Sequence, residues 1–218
     1  MPRKIEIVSD LAHFKKPFST KIQVTYSIPP ISTVIGIMKN IFSSSIDNFI
    51  FGYVFKTQPY VFRDIHKIYK EVNLNARTNR DRYDKYGKWI TDIAEIHYLV
   101  NPKLIIYTDL SDKMDIKETL TFGKTDCLAR VVKDEKVELK KFSSQGFNQF
   151  TSLDIGSGKP MRITTETKYN GLKGYYDVYR KIVRLSNSFN YDNNYDEALQ
   201  QNIFLWKYEG EGVVSESI

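Results

Sequence analysis

Residues 29–56 read PPISTVIGIMKNIFSSSIDNFIFGYVFK, and two hydrophobic periods succeed each other within them. Ile31, Val34, Ile35, Met38, Ile41 and Phe42 recur at spacings of three and four, which predicts a helix with one apolar face. Pro29 and Pro30 stand just before it, where the i to i−4 ladder needs no N–H from them. Gly36 falls inside this helix, where glycine costs about 1 kcal/mol relative to alanine. A close contact with another backbone and simple tolerance both account for it. From Asn48 the period becomes two: Phe49, Phe51, Tyr53 and Phe55 share one face, Ile50 and Val54 the other, so this strand is expected to be covered on both sides.

Upstream, residues 4–14 read as an opening strand carrying Ile5, Ile7 and Val8, with an alternation that slips near Ser9 and Asp10 as a bulge would make it. Downstream, 60–72 and 89–100 are strand-like around a polar, basic segment and predict a long hairpin. Residues 104–108 form a further strand, Asp112 is placed to cap a short helix over 113–120, and 127–133 pairs with 136–142 across Asp134 and Glu135. Beyond Ser143 the pattern turns to strands at 161–169 and 175–185 separated by Gly171 and Gly174, then a polar stretch, 186–195, read as a loop. Residues 203–208 read as a last strand.

The order strand, helix, strand, hairpin, strand, short helix, strand predicts an α+β protein of ferredoxin-like type with a mostly antiparallel sheet. The expected division is 1–142, a ferredoxin-like domain with a hairpin insertion near 60–100, and 143–218, a β-rich C-terminal lobe packed on it.

In 218 residues, 32 Lys and Arg face 26 Asp and Glu, a net charge of +6 that favours a polyanionic partner. The most apolar stretch, 33–42, is too short to span a bilayer, so no membrane is expected. The N-terminus opens on Pro2, Arg3 and Lys4 rather than an apolar run, and Cys127 has no cysteine to pair with, so the expected compartment is cytoplasmic. His13, His66 and His97 lie far apart and show no ligand spacing, so neither a metal nor another cofactor is expected. Gly123-Lys124-Thr125 and Gly158-Lys159-Pro160 fail as phosphate-cradling loops, because Glu118 and Leu153 occupy the positions where that motif needs its first glycine.

Between the hairpin strands, Arg77, Arg80, Arg82, Lys85 and Lys88 are interleaved with Tyr83, Tyr86 and Trp89, opposed by Asp81 and Asp84. Cations reach phosphates and rings stack on bases, so this mixture suits single-stranded nucleic acid or a distorted duplex. A solvated loop with local ion pairs reads the same residues equally well. A second basic group, including Arg162, Lys168, Arg180, Lys181 and Arg184, is scattered over strands and is open to both readings as well.

One resemblance runs through several of these segments. His13-Phe14-Lys15-Lys16-Pro17, then Thr25-Tyr26-Ser27-Ile28-Pro29-Pro30-Ile31-Ser32-Thr33-Val34-Ile35-Gly36, resembles in order the CRISPR-associated family usually numbered five. Phe122-Gly123-Lys124-Thr125-Asp126-Cys127 resembles a further element of that family, with Lys124 where arginine is more usual. The resemblance implies a modified RNA-recognition fold that caps the five-prime handle of the guide RNA (crRNA) in a type I surveillance complex, Cascade, in antiviral defence. It implies contact with the backbone subunit, whose filament it caps, and with the large subunit, target DNA being met only through the complex. Lys15, Lys16, Thr25, Tyr26, Gly123 and Lys124 would lie near the handle. The hairpin would act as a thumb, with Arg77, Arg80, Arg82, Tyr83 and Lys85 at its RNA-binding tip.

One branch of that family cuts repeat RNA with a Tyr, Lys and His group. Here the adjacent Lys-His is replaced by His66-Lys67 in reversed order, so no catalytic residue is expected and the overall look is closest to the I-B branch. Two alternatives stand beside this reading. One is a metal-independent endoribonuclease using some of His13, Tyr26, His66, Lys67 and His97; the other is a protein-interaction module with a basic surface.

Overall fold

In a computed structural model, the chain is described over residues 2–42, 46–69, 91–116, 118–172, 174–191, 193–210 and 213–215. Its first part runs β1 (Arg3–Ser9), β2 (Leu11–Ala12), β3 (Ile22–Gln23), α1 (Ile31–Phe42) and β4 (Asn48–Lys56). The middle holds β5 (Val61–Tyr69), β6 (Thr91–Val100), β7 (Lys103–Thr108) and β8 (Ala129–Lys136). Then come β9 (Ser144–Gly146), β10 (Gln149–Thr151), β11 (Ser157–Asn170) and β12 (Tyr175–Tyr191). The last elements are β13 (Tyr195–Asp196), β14 (Gln201–Asn202), β15 (Leu205–Glu209) and β16 (Val213–Ser215). The described residues are thus mostly β-sheet, with one α-helix.

Helix α1 begins where the prolines predict, and the Pro30 carbonyl accepts from Thr33 N at 2.9 Å and Val34 N at 3.3 Å. All six residues of its apolar period are buried, together with Ile37. They meet Phe49, Phe51, Tyr53 and Phe55 of β4 and Ile5, Ile7, Leu104 and Ile106 of the neighbouring strands in one core. Burial of each such large side chain contributes about 1.5–3 kcal/mol. Gly36 instead lies on the exposed side, and a Cβ there would meet nothing within 4 Å, so tolerance and not close contact explains it.

The main sheet has the order β16-β15-β4-β7-β1-β8, with every pairing antiparallel. Its other face is covered by Val54, Ile105 and Tyr107 packing with Ile203 and Leu205, so both faces of β4 are buried as its sequence predicts. Gly52 opposes Leu205, and a Cβ there would stand 2.7 Å from the Phe204 carbonyl oxygen. Glycine is what lets the C-terminal segment reach the sheet. A buried ion pair fastens the same region: Lys4 Nζ reaches Asp196 Oδ2 at 2.6 Å, and the Tyr107 hydroxyl donates to that oxygen.

Four sequence expectations are corrected. Residues 113–116 and 118–120 are not helical. Residues 127–142 do not form a hairpin; β8 runs straight through Asp134 and Glu135 and pairs with β1 along its length. The acidic pair looks like a turn in sequence, but Asp134 binds Arg3 of β1 at 2.6 Å, so it belongs to the ladder. Residues 186–191 continue β12, because Ser186 and Phe189 face inward and the segment pairs with β9 and β10. The irregularity near Ser9 is a bend at Asp10, where the chain leaves the main sheet so that β2 can pair with β6. The β-bulge of this strand lies at Glu6/Ile7.

Strands β5 and β6 pair antiparallel from Val61↔Leu99 to Tyr69↔Thr91, and β3 joins β6 in parallel. The segment they lead into, with Arg77, Arg80, Arg82, Tyr83 and Lys85, lies outside the described residues. Strands β10, β12 and β11 make a further sheet, and β9 extends along β12.

Candidate nucleic-acid interface

Three separate segments meet at one cleft. Residues 13–17 and 23–26 lie side by side, held by Tyr26 N to Phe14 O at 2.8 Å and Lys16 N to Val24 O at 2.9 Å. Thr25 turns its hydroxyl inward, where Oγ1 accepts from Phe14 N and donates to Tyr26 O, both at 2.9 Å. It is buried, so its part is to hold the two segments together.

The loop at 122–127 docks on the same segment. His13 N donates to Phe122 O at 3.0 Å, while Phe122 N to Cys127 O at 2.8 Å and Cys127 N to Lys124 O at 3.0 Å close the loop on itself. Gly123 has φ +95°, and a Cβ there would stand 2.0 Å from the His13 carbonyl oxygen. Only glycine permits that approach.

The cleft so formed, about 480 Å³, is lined by Lys15, Tyr26, Gly123 and Lys124 from the sequence-predicted set. Pro30, Ser32 and Thr33 contribute the start of α1, where the helix dipole favours an anion. Thr164 and Thr167 of β11 form the facing wall. Lys16 is not on the lining; its Nζ lies over the Tyr26 ring, 5.6 Å from the centroid. The sequence motifs contain Ser32 and Thr33 but do not mark them as lining residues, and nothing local marks Thr164 and Thr167, which arrive through packing of β11.

Beneath the cleft lies a network centred on Tyr98. Its hydroxyl donates to Asp126 Oδ2 at 3.0 Å and lies 3.3 Å from His66 Nε2 and 3.4 Å from Lys124 Nζ. Burial, then Asp126, push the Tyr98 phenol well above its ordinary pKa. Burial alone would raise the Asp126 carboxyl, but the Tyr98 hydroxyl and Lys124 outweigh it and hold that group below its ordinary value. Asp126 is therefore the counter-ion of Lys124, at 3.6 Å.

His13 is buried, and its Nδ1 lies 2.8 Å from the His97 carbonyl, which makes that nitrogen the N–H of a neutral ring. Burial lowers its pKa most; the His97 carbonyl opposes this, and the charges of Lys124 and Lys15 add to the lowering. Burial likewise pushes the Cys127 thiol up to about 11, far from a reactive thiolate. Among the described residues, no group of three or more His, Cys, Asp and Glu could hold a metal ion, and no helix is long and apolar enough to cross a membrane.

The arrangement defines a basic cleft on a mostly β protein, its cations set by backbone contacts. The family model described as CRISPR-associated protein (Cas_Cas5) matches residues 4–117, more than half of the chain. A chain of a solved structure titled CRISPR RNA-guided surveillance complex aligns over 87% of this chain and 90% of its own length, at 9% identity and a TM-score of 0.49. No curated protein matches. The chain belongs to the CRISPR-associated protein (Cas_Cas5) family, and its role lies in CRISPR defence.

Proposed function

We propose that this protein is a non-catalytic Cascade subunit that binds the five-prime handle of the guide RNA and caps the backbone filament, beside the large subunit and in the cytoplasm. The observation that carries this is the convergence of Lys15, Tyr26, Gly123 and Lys124 on one cleft with the start of α1. A phosphate held between Lys15 and Lys124 would meet charge from both side chains, while Tyr26, 8% exposed, shapes the lining without a free ring face. The order β8-β1-β7-β4, with α1 between β1 and β4 in sequence, supports the ferredoxin-like reading. The long β5–β6 pairing supports a thumb. The sheet built within 144–191 supports a β-rich lobe over 143–218, tied back to 1–142 by β15 and β16. Target DNA is met only through the assembled complex, and the I-B branch remains the closest in sequence character.

The test is to purify the tagged protein from cells expressing its neighbouring genes and to sequence the RNA that accompanies it. A uniform short RNA with a defined five-prime end, together with a backbone subunit, is the expected result. Intact protein free of RNA refutes the reading.

A second reading, metal-independent RNA cleavage, is favoured by the approach of His66, Tyr98 and Lys124. Against it, Tyr98 is only 2% exposed and its hydroxyl is bound to Asp126, while His66 also faces Asp64 at 3.1 Å. Discrete cleavage of repeat RNA in chelator, abolished by His66→Ala, would replace the non-catalytic reading.

A further inference from the structure

The longest hairpin among the described residues, β11 with β12, pairs from Ser157↔Ser188 to Asn170↔Tyr175. Its lower part is anchored in the core through Ile163 and Val183. Farther out it carries large side chains in water: Tyr169 and Tyr176 are each 63% exposed, and Val178 and Ile182 are exposed as well.

Residues directly opposed across an antiparallel pair share a face. Tyr169/Tyr176, Thr167/Val178, Thr164/Arg180 and Arg162/Ile182 therefore form one row on one side of the hairpin. Thr164 and Thr167 belong at the same time to the wall of the basic cleft, so the row runs along that wall and continues beyond it to Tyr169 and Tyr176. The Arg180 charge reaches Tyr26 inside the cleft, where it opposes the rise that burial gives that phenol.

The composition of the row selects its occupant. It holds two phenol rings, 5.2 Å apart between centroids, two exposed guanidinium side chains and no carboxylate. The nearby acids sit on the other face, Glu166 opposite Tyr179 and Asp177 opposite Lys168. Two rings at the outer end and two cations nearer the cleft, with no acid among them, match a chain that presents both bases and phosphates.

We infer that this row, about 20 Å long over six strand residues, is a track for single-stranded RNA leaving the cleft, its outer end at Tyr169 and Tyr176 extending the bound footprint. The bases stack on Tyr169 and Tyr176, and Arg180 and Arg162 meet the phosphates. This rests on the reading of the cleft as the RNA site.

The test uses the full chain and two fluorescein-labelled oligouridines, a short one sized to the cleft and a longer one that also spans the hairpin. The triple variant Tyr169→Ser, Tyr176→Ser, Arg162→Ser, which leaves the cleft lining and Arg180 untouched, should bind the long RNA about tenfold or more weakly and the short one as wild type does. Tyr176→Trp should keep full affinity, with indole fluorescence quenched by the long RNA and not by the short one. Unchanged long-RNA affinity in the triple variant overturns the track. So does a triple variant that keeps its RNA affinity and loses a protein subunit in pull-downs, since the face is then a protein interface. Short-RNA binding that survives combined Lys15→Ala and Lys124→Ala sinks the cleft reading itself, and the track with it.

Discussion

Replacing Gly123 by alanine probes the contact on which the cleft depends. At φ +95° a Cβ costs about 1–2 kcal/mol from its own backbone. The new methyl would also stand 2.0 Å from the His13 carbonyl oxygen and 3.2 Å from Phe14 Cδ1. Neither the loop nor the strand segment can absorb that overlap by a side-chain rotation, because the nearest atom is backbone. The segments must part by about 1 Å, which breaks the 3.0 Å bond from His13 N to Phe122 O, a loss of about 1 kcal/mol. Together the variant should lose about 2–3 kcal/mol, lowering the urea midpoint by about 1–1.5 M at a slope of about 2 kcal/mol/M. RNA affinity should fall at the same time under conditions where the variant stays folded, since Lys15 and Lys124 no longer face each other at the spacing of the native cleft. The measurement is a urea titration followed by circular dichroism, paired with fluorescence anisotropy on labelled RNA. A midpoint indistinguishable from wild type would refute the docking of the 122–127 loop on His13, and with it the geometry of the cleft.

Lys15→Ala combined with Lys124→Ala should weaken RNA binding and flatten the plot of log affinity against log salt by about 0.7 per lost phosphate contact, with little change in urea midpoint; an unchanged slope removes both lysines from the interface. Asp196→Ala strands the Lys4 ammonium, whose side chain is 4% exposed, and should cost about 3–5 kcal/mol in denaturant titrations, more than either Lys4→Met with Asp196→Leu together or a surface variant. Gly36→Ala should raise stability by about 0.5–1 kcal/mol, since the new methyl meets nothing within 4 Å; a lower midpoint would mean that something does press on that side of α1. Burial holds His13 below its ordinary pKa, so the unfolded chain takes up a proton first as the pH falls. Stability present above about pH 6.5 should therefore decline below it, until the folded-state pKa is reached. The melting temperature of wild type between pH 7.5 and 5.5 should fall more steeply than that of His13→Gln, and parallel curves would contradict the assignment.

What could be read from the sequence is what local periodicity controls. Helix α1 and strand β4 carry their own patterns, and the prolines, the apolar face and the two covered faces of β4 appear where residues 29–56 put them. Chain segments whose state depends on a distant partner were not legible in the same way. Asp134 and Glu135 look like a turn until Arg3 is found beside them, and the polar residues after Leu185 look like a loop until Ser186 and Phe189 are seen turned inward against β9 and β10. The candidate site divides along the same line. Its motif residues stand out in sequence, but their convergence does not, because Gly123 meets His13 across more than a hundred residues and Thr164 enters the wall only through β11. Thr25 shows the limit within a motif: a hydroxyl that sequence places toward RNA is turned to the Phe14 amide.

The way the cleft is assembled bears on how it binds. Long lysine side chains lose rotamer freedom when they grip a phosphate, a cost of order 1.5–2 kcal/mol each. Here the backbone that carries Lys15 is fixed to its neighbours on both sides, by Tyr26 N to Phe14 O and Lys16 N to Val24 O, and the loop that carries Lys124 is closed by its own hydrogen bonds. Lys124 is further restrained between Tyr98 and Asp126 before any ligand arrives. Part of the ordering cost is therefore met during folding, in a cleft whose described lining carries Lys15 and Lys124 and no carboxylate. That excess is unfavourable in the free protein and is relieved by a polyanion, so the features that weaken the empty cleft are those that favour its occupation.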